Sequence, residues 1–166
     1  MKPQTQEVSN RVLKALVANG LPEDKSRLLL AQMLVETAGF THRVATQANN
    51  YGGIKFAPKF NKDSGIKSTE GDNYARYNDF NEFAKDYIRV ISRGGNNAPI
   101  KADTVQEFAR RLKAQGYYTA TEPQYLKALK SWLPSIKKFI PSPQAQAPLA
   151  LILIIIVMGF IVLTSN

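Results

Sequence analysis

Residues 28 to 40 read LLLAQMLVETAGF, an apolar stretch with one carboxylate, Glu36. The run has the composition of a buried helix. An ionised carboxylate is costly in such a place unless its pKa rises or a cation pairs with it. At about 100° per residue, Leu29, Gln32, Met33 and Phe40 fall within about 60° of Glu36 on the helix surface. The carboxylate therefore sits on a mostly apolar face near the carboxyl end of its helix. Two readings follow: a desolvated acid held for chemistry, or a structural glutamate directed to the surface or paired with Arg43 or Arg76.

Working outward, Pro22, Glu23 and Asp24 open this helix, with proline in the first turn and acids at the positive end of the dipole. Before it, Val8, Val12, Leu13, Leu16 and Val17 keep helical spacing until Gly20. After it, residues 49 to 78 turn to Gly, Asn, Lys and Tyr, with short alternating pieces (GGIKF, GIKSTE, YARY) that predict a small irregular antiparallel lobe. Helical spacing returns at Phe80, Phe83, Ala84, Tyr87, Ile88 and Ile91. Asp79 and Glu82 form a capping box ahead of this run, and Gly94 and Gly95 close it. Thr104 and Glu107 open the next helix, which Gly116 closes, and a last one starts near Thr121, Glu122 and Pro123. Pro134 is expected to kink or break it. Two helices, a β lobe and three helices make an α+β chain, mainly α, with a cleft between the lobe and the helical part.

The 166 residues fit one domain, over 1–140. A Pro-rich linker, PSPQAQAP, occupies 141–148, and LALILIIIVMGFIVL, residues 149–163, holds no charge at all. As a helix those residues would rise ~22 Å against a hydrocarbon core of about 30 Å, which predicts a short single-pass transmembrane anchor. Lys137 and Lys138 before the span favour a cytoplasmic amino-terminal domain. The opening MKPQTQEVSN lacks the apolar region of a signal peptide.

The net charge is +9, with every charged residue at or before Lys138. Such a surface seeks polyanions, and nucleic acid, anionic lipid and bacterial cell wall all qualify. With no cysteine there is no disulfide framework or thiolate metal site, and His42, the one histidine, reads as a capping or surface residue. No metal or other cofactor is expected. No nucleic-acid partner is expected either, because no helix-turn-helix, zinc or RNA-recognition signature is present.

Glycoside cleavage needs a protonated acid beside the leaving oxygen and, in most families, a second carboxylate opposite. Glu36 suits the first role. Asp63, Glu70, Asp72 and Asp79 are the candidates for the second. Glu70, in KSTEGDNY, lies on a predicted turn able to lean over the cleft, whereas Asp79 is better explained as a helix cap.

AQMLVETAGF, NNYGGIK, STEGDNYARYNDF and QGYYTATEPQYLKAL, in that order, resemble the bacterial glucosaminidases of glycoside hydrolase family 73, within the lysozyme-like superfamily. The resemblance covers roughly Glu7 to Trp132. It implies a lysozyme-like domain that cuts the glycan strand of peptidoglycan, with Glu36 as general acid and Glu70 as second carboxylate. By the same resemblance Asn50, Arg76, Tyr77, Tyr117 and Tyr125 face substrate. Asn50, Gly53, Ile54 and Lys55 match the turn, and Arg76 with Tyr77, adjacent in this chain, stand at the family's Arg-x-Tyr element. Gly52 stands where the family usually has an aromatic. The last motif is two residues longer here, which leaves Tyr117 and Tyr118 both able to take the family tyrosine's place. Read this way, the chain is an N-acetylglucosaminidase held to a lipid membrane by its tail. A bacterial-virus protein in a viral membrane is one arrangement that fits. The rivals are a lytic transglycosylase, which uses one acid and leaves anhydro ends, and a non-catalytic wall-binding or structural membrane protein.

Overall fold

Helix α2 (Glu23–Glu36) is the centre of the molecule, because six successive positions, Leu29, Leu30, Ala31, Gln32, Met33 and Leu34, are all buried. A helix buried on every side needs neighbours all round it. In the structure, a computed structural model that describes residues 1–67 and 71–137, α1 (Pro3–Ala18) and α6 (Glu122–Lys137) pack directly on it. Helix α4 (Phe80–Ile91) packs on α1, and α5 (Val105–Ala114) on α6. Leu16, Leu29, Met33, Phe83, Tyr87, Phe108, Leu112, Leu129 and Ile136 join in one core. Fully burying a side chain of this size stabilises by about 1.5–3 kcal/mol.

The two capping boxes form. The Asp79 carboxylate accepts from Glu82 N at 2.8 Å while Glu82 Oε2 accepts from Asn78 N at 2.8 Å. Thr104 Oγ1 accepts from Glu107 N at 3.1 Å while Glu107 Oε2 accepts from Asp103 N at 3.1 Å. In each case the acid reaches one residue further back than the cap itself. Strands β1 (Ser64–Lys67) and β2 (Asn73–Ala75) pair antiparallel with a bulge between Ser64 and Ile66, and Lys55 adds a single bridge to Tyr74. The GGIKF piece is therefore loop rather than strand.

Three expectations are corrected. The first helix begins at Pro3, five residues before its apolar pattern, because proline is suited to an opening helical turn. A short helix α3 (Arg43–Ala48) precedes the lobe, so the chain has three helices before the sheet. Of the kink or break expected at Pro134, the break does not occur: α6 continues to Lys137 and buries Ile136 in the core. Packing of that last turn offsets the backbone bond that proline removes. The linker, the anchor expected over 149–163 and the end of the 1–140 domain lie outside the described residues. Among the described residues, no helix is long and apolar enough to cross a membrane.

Candidate active site

Glu36 is the last residue of α2, and the chain turns sharply after it. Ala38, Gly39 and Phe40 take positive φ values of 49°, 70° and 65° in succession. Thr37 secures the turn: its hydroxyl donates to Met33 O at 2.6 Å and accepts from Phe40 N at 3.2 Å. Gly39 N donates to Leu34 O at 2.8 Å. The helix thus stops as soon as it has placed Glu36 at the cleft, and the backbone departs toward α3.

Around the carboxylate stands a group of phenols and one amide. Tyr125 Oη donates to Glu36 Oε1 at 2.7 Å. Tyr117 Oη donates to Gly52 O at 2.7 Å, which ties the loop after α5 to the Asn50–Ile54 turn. Tyr87 Oη donates to Gln32 Oε1. Gln32 lies one turn before Glu36, is 0% exposed, and its Nε2 has no partner within hydrogen-bond distance. Burial pushes the Glu36 carboxyl above the ordinary glutamate range, against the opposing pull of the Tyr125 hydrogen bond. Desolvation wins. Burial, with the Glu36 charge adding to it, also holds Tyr87, Tyr117 and Tyr125 far above the ordinary phenol range, so all three remain donors.

Glu36 opens into a cleft of about 490 Å³, bounded by the lobe through Gly52–Ala57 and Tyr74, by Arg89, Val90 and Arg93, and by Gln115–Tyr117. This is the cleft expected between lobe and helices. His42 also lines it. Gly52 is buried where an ideal Cβ would come within 2.6 Å of Tyr87 Cδ2. The Tyr87 ring therefore fills the space that a side chain at position 52 would need.

The remaining candidates separate clearly. Tyr117 lines the cleft, whereas Tyr118 is buried, stacks on Tyr125 at 3.6 Å and donates to Ala109 O. Three of the expected substrate contacts have polar atoms engaged within the protein. Asn50 is 0% exposed and fully engaged within the protein: Nδ2 donates to Ile54 O and Ala75 O, and Oδ1 accepts from Ile54 N. It builds the turn and does not reach the cleft. Tyr77 is buried beneath the lobe, with Oη donating to Asp86 at 2.7 Å. Arg76 lies outside the cleft lining, donates to Gln47 O at 2.8 Å and pairs with Asp63 at 3.3 Å. Neither Arg43 nor Arg76 pairs with Glu36, among the described residues. Asp79 is a cap and Asp72 pairs with Lys55 at 2.9 Å. Glu70 lies outside the described residues.

Sequence reasoning missed Tyr87, Arg89 and Arg93. Tyr87 carries the spacing of a core position, and nothing in the sequence places its hydroxyl on Gln32. Arg89 and Arg93, four apart, carry the one available signal, two cations close in sequence where the helix gives way to Gly94 and Gly95.

The sequence pattern of the glucosaminidase family, described as mannosyl-glycoprotein endo-beta-N-acetylglucosaminidase, matches residues 15–138. Comparison with curated proteins gives no match. Among solved structures, the glycoside hydrolase domain of FlgJ from Salmonella typhimurium is similar, at 23% identity and a TM-score of 0.59, over 83% of this chain and 90% of that one. A peptidoglycan hydrolase from Sphingomonas sp. A1 is similar at 18% identity and a TM-score of 0.65, over 82% and 96%. The catalytic domain of the autolysin Auto from Listeria monocytogenes is similar at 17% identity and 0.56, over 84% and 90%. At these identities the likeness is one of fold.

Proposed function

The chain belongs to the glucosaminidase family of glycoside hydrolases, and from that premise we propose that it cuts the glycan strand of peptidoglycan, as an N-acetylglucosaminidase, with Glu36 as general acid. The observation that carries this reading is Glu36 itself: a carboxyl at the floor of a cleft, its pKa raised by burial, with Tyr125 fixing one oxygen. Tyr125 donates to Oε1, which leaves Oε2 to carry the proton. That proton passes to the glycosidic oxygen as the C1–O bond breaks, and the leaving sugar departs as an alcohol. Water then bonds to C1 through an oxocarbenium-like transition state. Glu70, the second carboxylate implied by the family resemblance, takes the proton from that water or stabilises the sugar cation. Tyr117, whose hydroxyl is committed to Gly52 O, shapes the wall on which the reacting sugar lies.

The same reading tethers the domain to a lipid membrane through residues 149–163, supported by their uninterrupted apolar sequence after a Pro-rich linker. Carriage on a viral membrane is one arrangement that fits such a tether.

The decisive experiment digests purified peptidoglycan with the parent and with Glu36→Gln and identifies the new chain ends by mass spectrometry. Reducing N-acetylglucosamine ends are expected from the parent, and a loss of about 10²- to 10⁴-fold from the variant. Anhydro ends would make the enzyme a lytic transglycosylase, and reducing muramic ends would move the cut to the other bond. Undiminished cleavage by a folded Glu36→Gln protein would leave Glu36 structural and this reading wrong.

A further inference from the structure

The lining of the cleft carries more positive charge than general acid catalysis requires. Against the one carboxylate of Glu36 stand Lys55 on the lobe side and Arg89 and Arg93 on the helical side. Lys55 is paired with Asp72. Arg89 is held from behind: Asp86 Oδ1 accepts from its Nε at 2.6 Å, and its guanidinium lies 3.9 Å over the Phe60 ring. Burial pushes Asp86 up, but the hydrogen bonds from Arg89, Tyr77 and Asn61, with the Arg89 charge, outweigh it and keep the carboxylate ionised. Arg89 thus presents a fixed cation between the cleft and the hollow beneath the lobe. Arg93 differs. Its side chain is exposed and has no partner among the described residues, while its backbone carbonyl accepts from Gln115 Nε2 at 2.6 Å, which anchors it to the opposite wall.

A guanidinium left unpaired at the rim of a sugar-binding cleft, just past the end of the helix that carries a second one locked in place, fits a ligand that brings its own carboxylate. We propose that Arg93, backed by Arg89, forms a subsite for the carboxylate borne by alternate sugars of the strand, so that the cleft prefers acid-substituted glycan over neutral glycan of the same length. The inference rests on the reading of the substrate as peptidoglycan. The carboxylate has two sources there, the lactyl ether where the sugar is unsubstituted and the peptide stem where the lactyl group is amidated. Both offer the planar acceptor that a guanidinium recognises with two parallel hydrogen bonds.

The test measures binding by calorimetry to the full chain carrying Glu36→Gln, so that ligand is not consumed. Three ligands of equal sugar length are compared: a neutral chitooligosaccharide, a peptide-free alternating strand with free lactyl groups, and a stem-bearing strand. At least one acidic ligand is expected to bind about fivefold more tightly than the neutral one, the range of a solvent-exposed ion pair. The advantage should shrink in high salt. Arg93→Gln should remove that advantage and leave the neutral ligand unchanged, and Arg93→Lys should restore part of it. An advantage confined to the peptide-free strand assigns the lactyl carboxylate, and one confined to the stem-bearing strand assigns the stem. Equal binding of all three ligands, or equal weakening of all three by Arg93→Gln, would overturn the subsite. Cleavage dependent on Glu36 would stand in either case, because it is read from chain ends and not from these ratios.

Discussion

Two opposing influences meet on the Glu36 proton. Burial favours the neutral acid, and the Tyr125 hydroxyl, donating to Oε1, favours the ion. Burial prevails, so Glu36 keeps its proton above the ordinary carboxyl range, as a general acid must. Tyr125→Phe removes only the ion-favouring partner and retains the ring that stacks on Tyr118. The sign follows directly: loss of a bond that lowers the pKa raises it further, so the protonated acid persists to higher pH. The alkaline limb of the kcat/KM profile should move upward in Tyr125→Phe. The maximum rate should fall by no more than about tenfold, since one hydrogen bond contributes about 1 kcal/mol. A limb that stays put or moves down would show that this bond does not act on the catalytic proton. At this scale Glu36 is legible in the sequence, because a lone carboxylate on an apolar helical face is a local pattern. Its hydrogen bond to Tyr125 spans 89 residues and is legible only by resemblance. Asn50, Arg76 and Tyr77 show the limit of that route. A motif marks that a residue type recurs, and whether it touches substrate or builds the turn behind it depends on where its polar atoms find partners.

The elements place these residues through local signals of unequal strength. The starts of α4 and α5 were written in the sequence, because an oxygen-bearing cap and an acid three residues on meet within one helical turn and need nothing from the rest of the fold. Helix α3 carries no such signal: it is six residues long, and His42 at its start makes no side-chain capping bond. Pro134 misled in the opposite direction, since the propensity against proline is local but burial of Ile136 is tertiary. The Asn50–Ile54 turn is the element on which the cleft depends most. Gly52 holds no positive φ, and its need for glycine is steric: a Cβ there would lie 2.6 Å from Tyr87 Cδ2 and 2.7 Å from Cε2. Tyr87 cannot yield easily, being fully buried and bonded to Gln32. Gly52→Ala should therefore cost about 1–3 kcal/mol in urea unfolding, the range for overpacking a close-packed core. It should also lower turnover, because Gly52 O is the acceptor that positions Tyr117. A variant as stable as the parent would mean that the turn moves freely off Tyr87, and the cleft wall with it.

For the molecule as a whole, the arrangement of lobe, cleft and helices was legible as an order of elements, but the assignment of walls was not, because it depends on contacts between residues 49–57, 89–93 and 115–117. We place the end of the catalytic unit where the described core ends. The family pattern ends at residue 138, α6 ends at Lys137 and Ile136 completes the core. The Pro-rich segment 141–148 has no apolar periodicity with which to pack on that core and is suited to a semi-rigid spacer. All the positive charge lies at or before Lys138, so a chain cut after Pro141 keeps the whole field that attracts an anionic wall. Such a chain should remain in solution without detergent and cleave isolated walls within about twofold of the parent rate, since the cut leaves the contacts of the cleft intact. The full chain should sediment with membranes and stay in the pellet through an alkaline carbonate wash, as an apolar segment inserted in a bilayer does. The two halves fail separately. Aggregation of the shortened chain would show that the apolar tail covers the domain itself, near the hollow bounded by Leu28, Val105, Leu133 and Ile136. Release of the full chain by carbonate would reduce the tail to a peripheral contact while leaving the chemistry at Glu36 untouched.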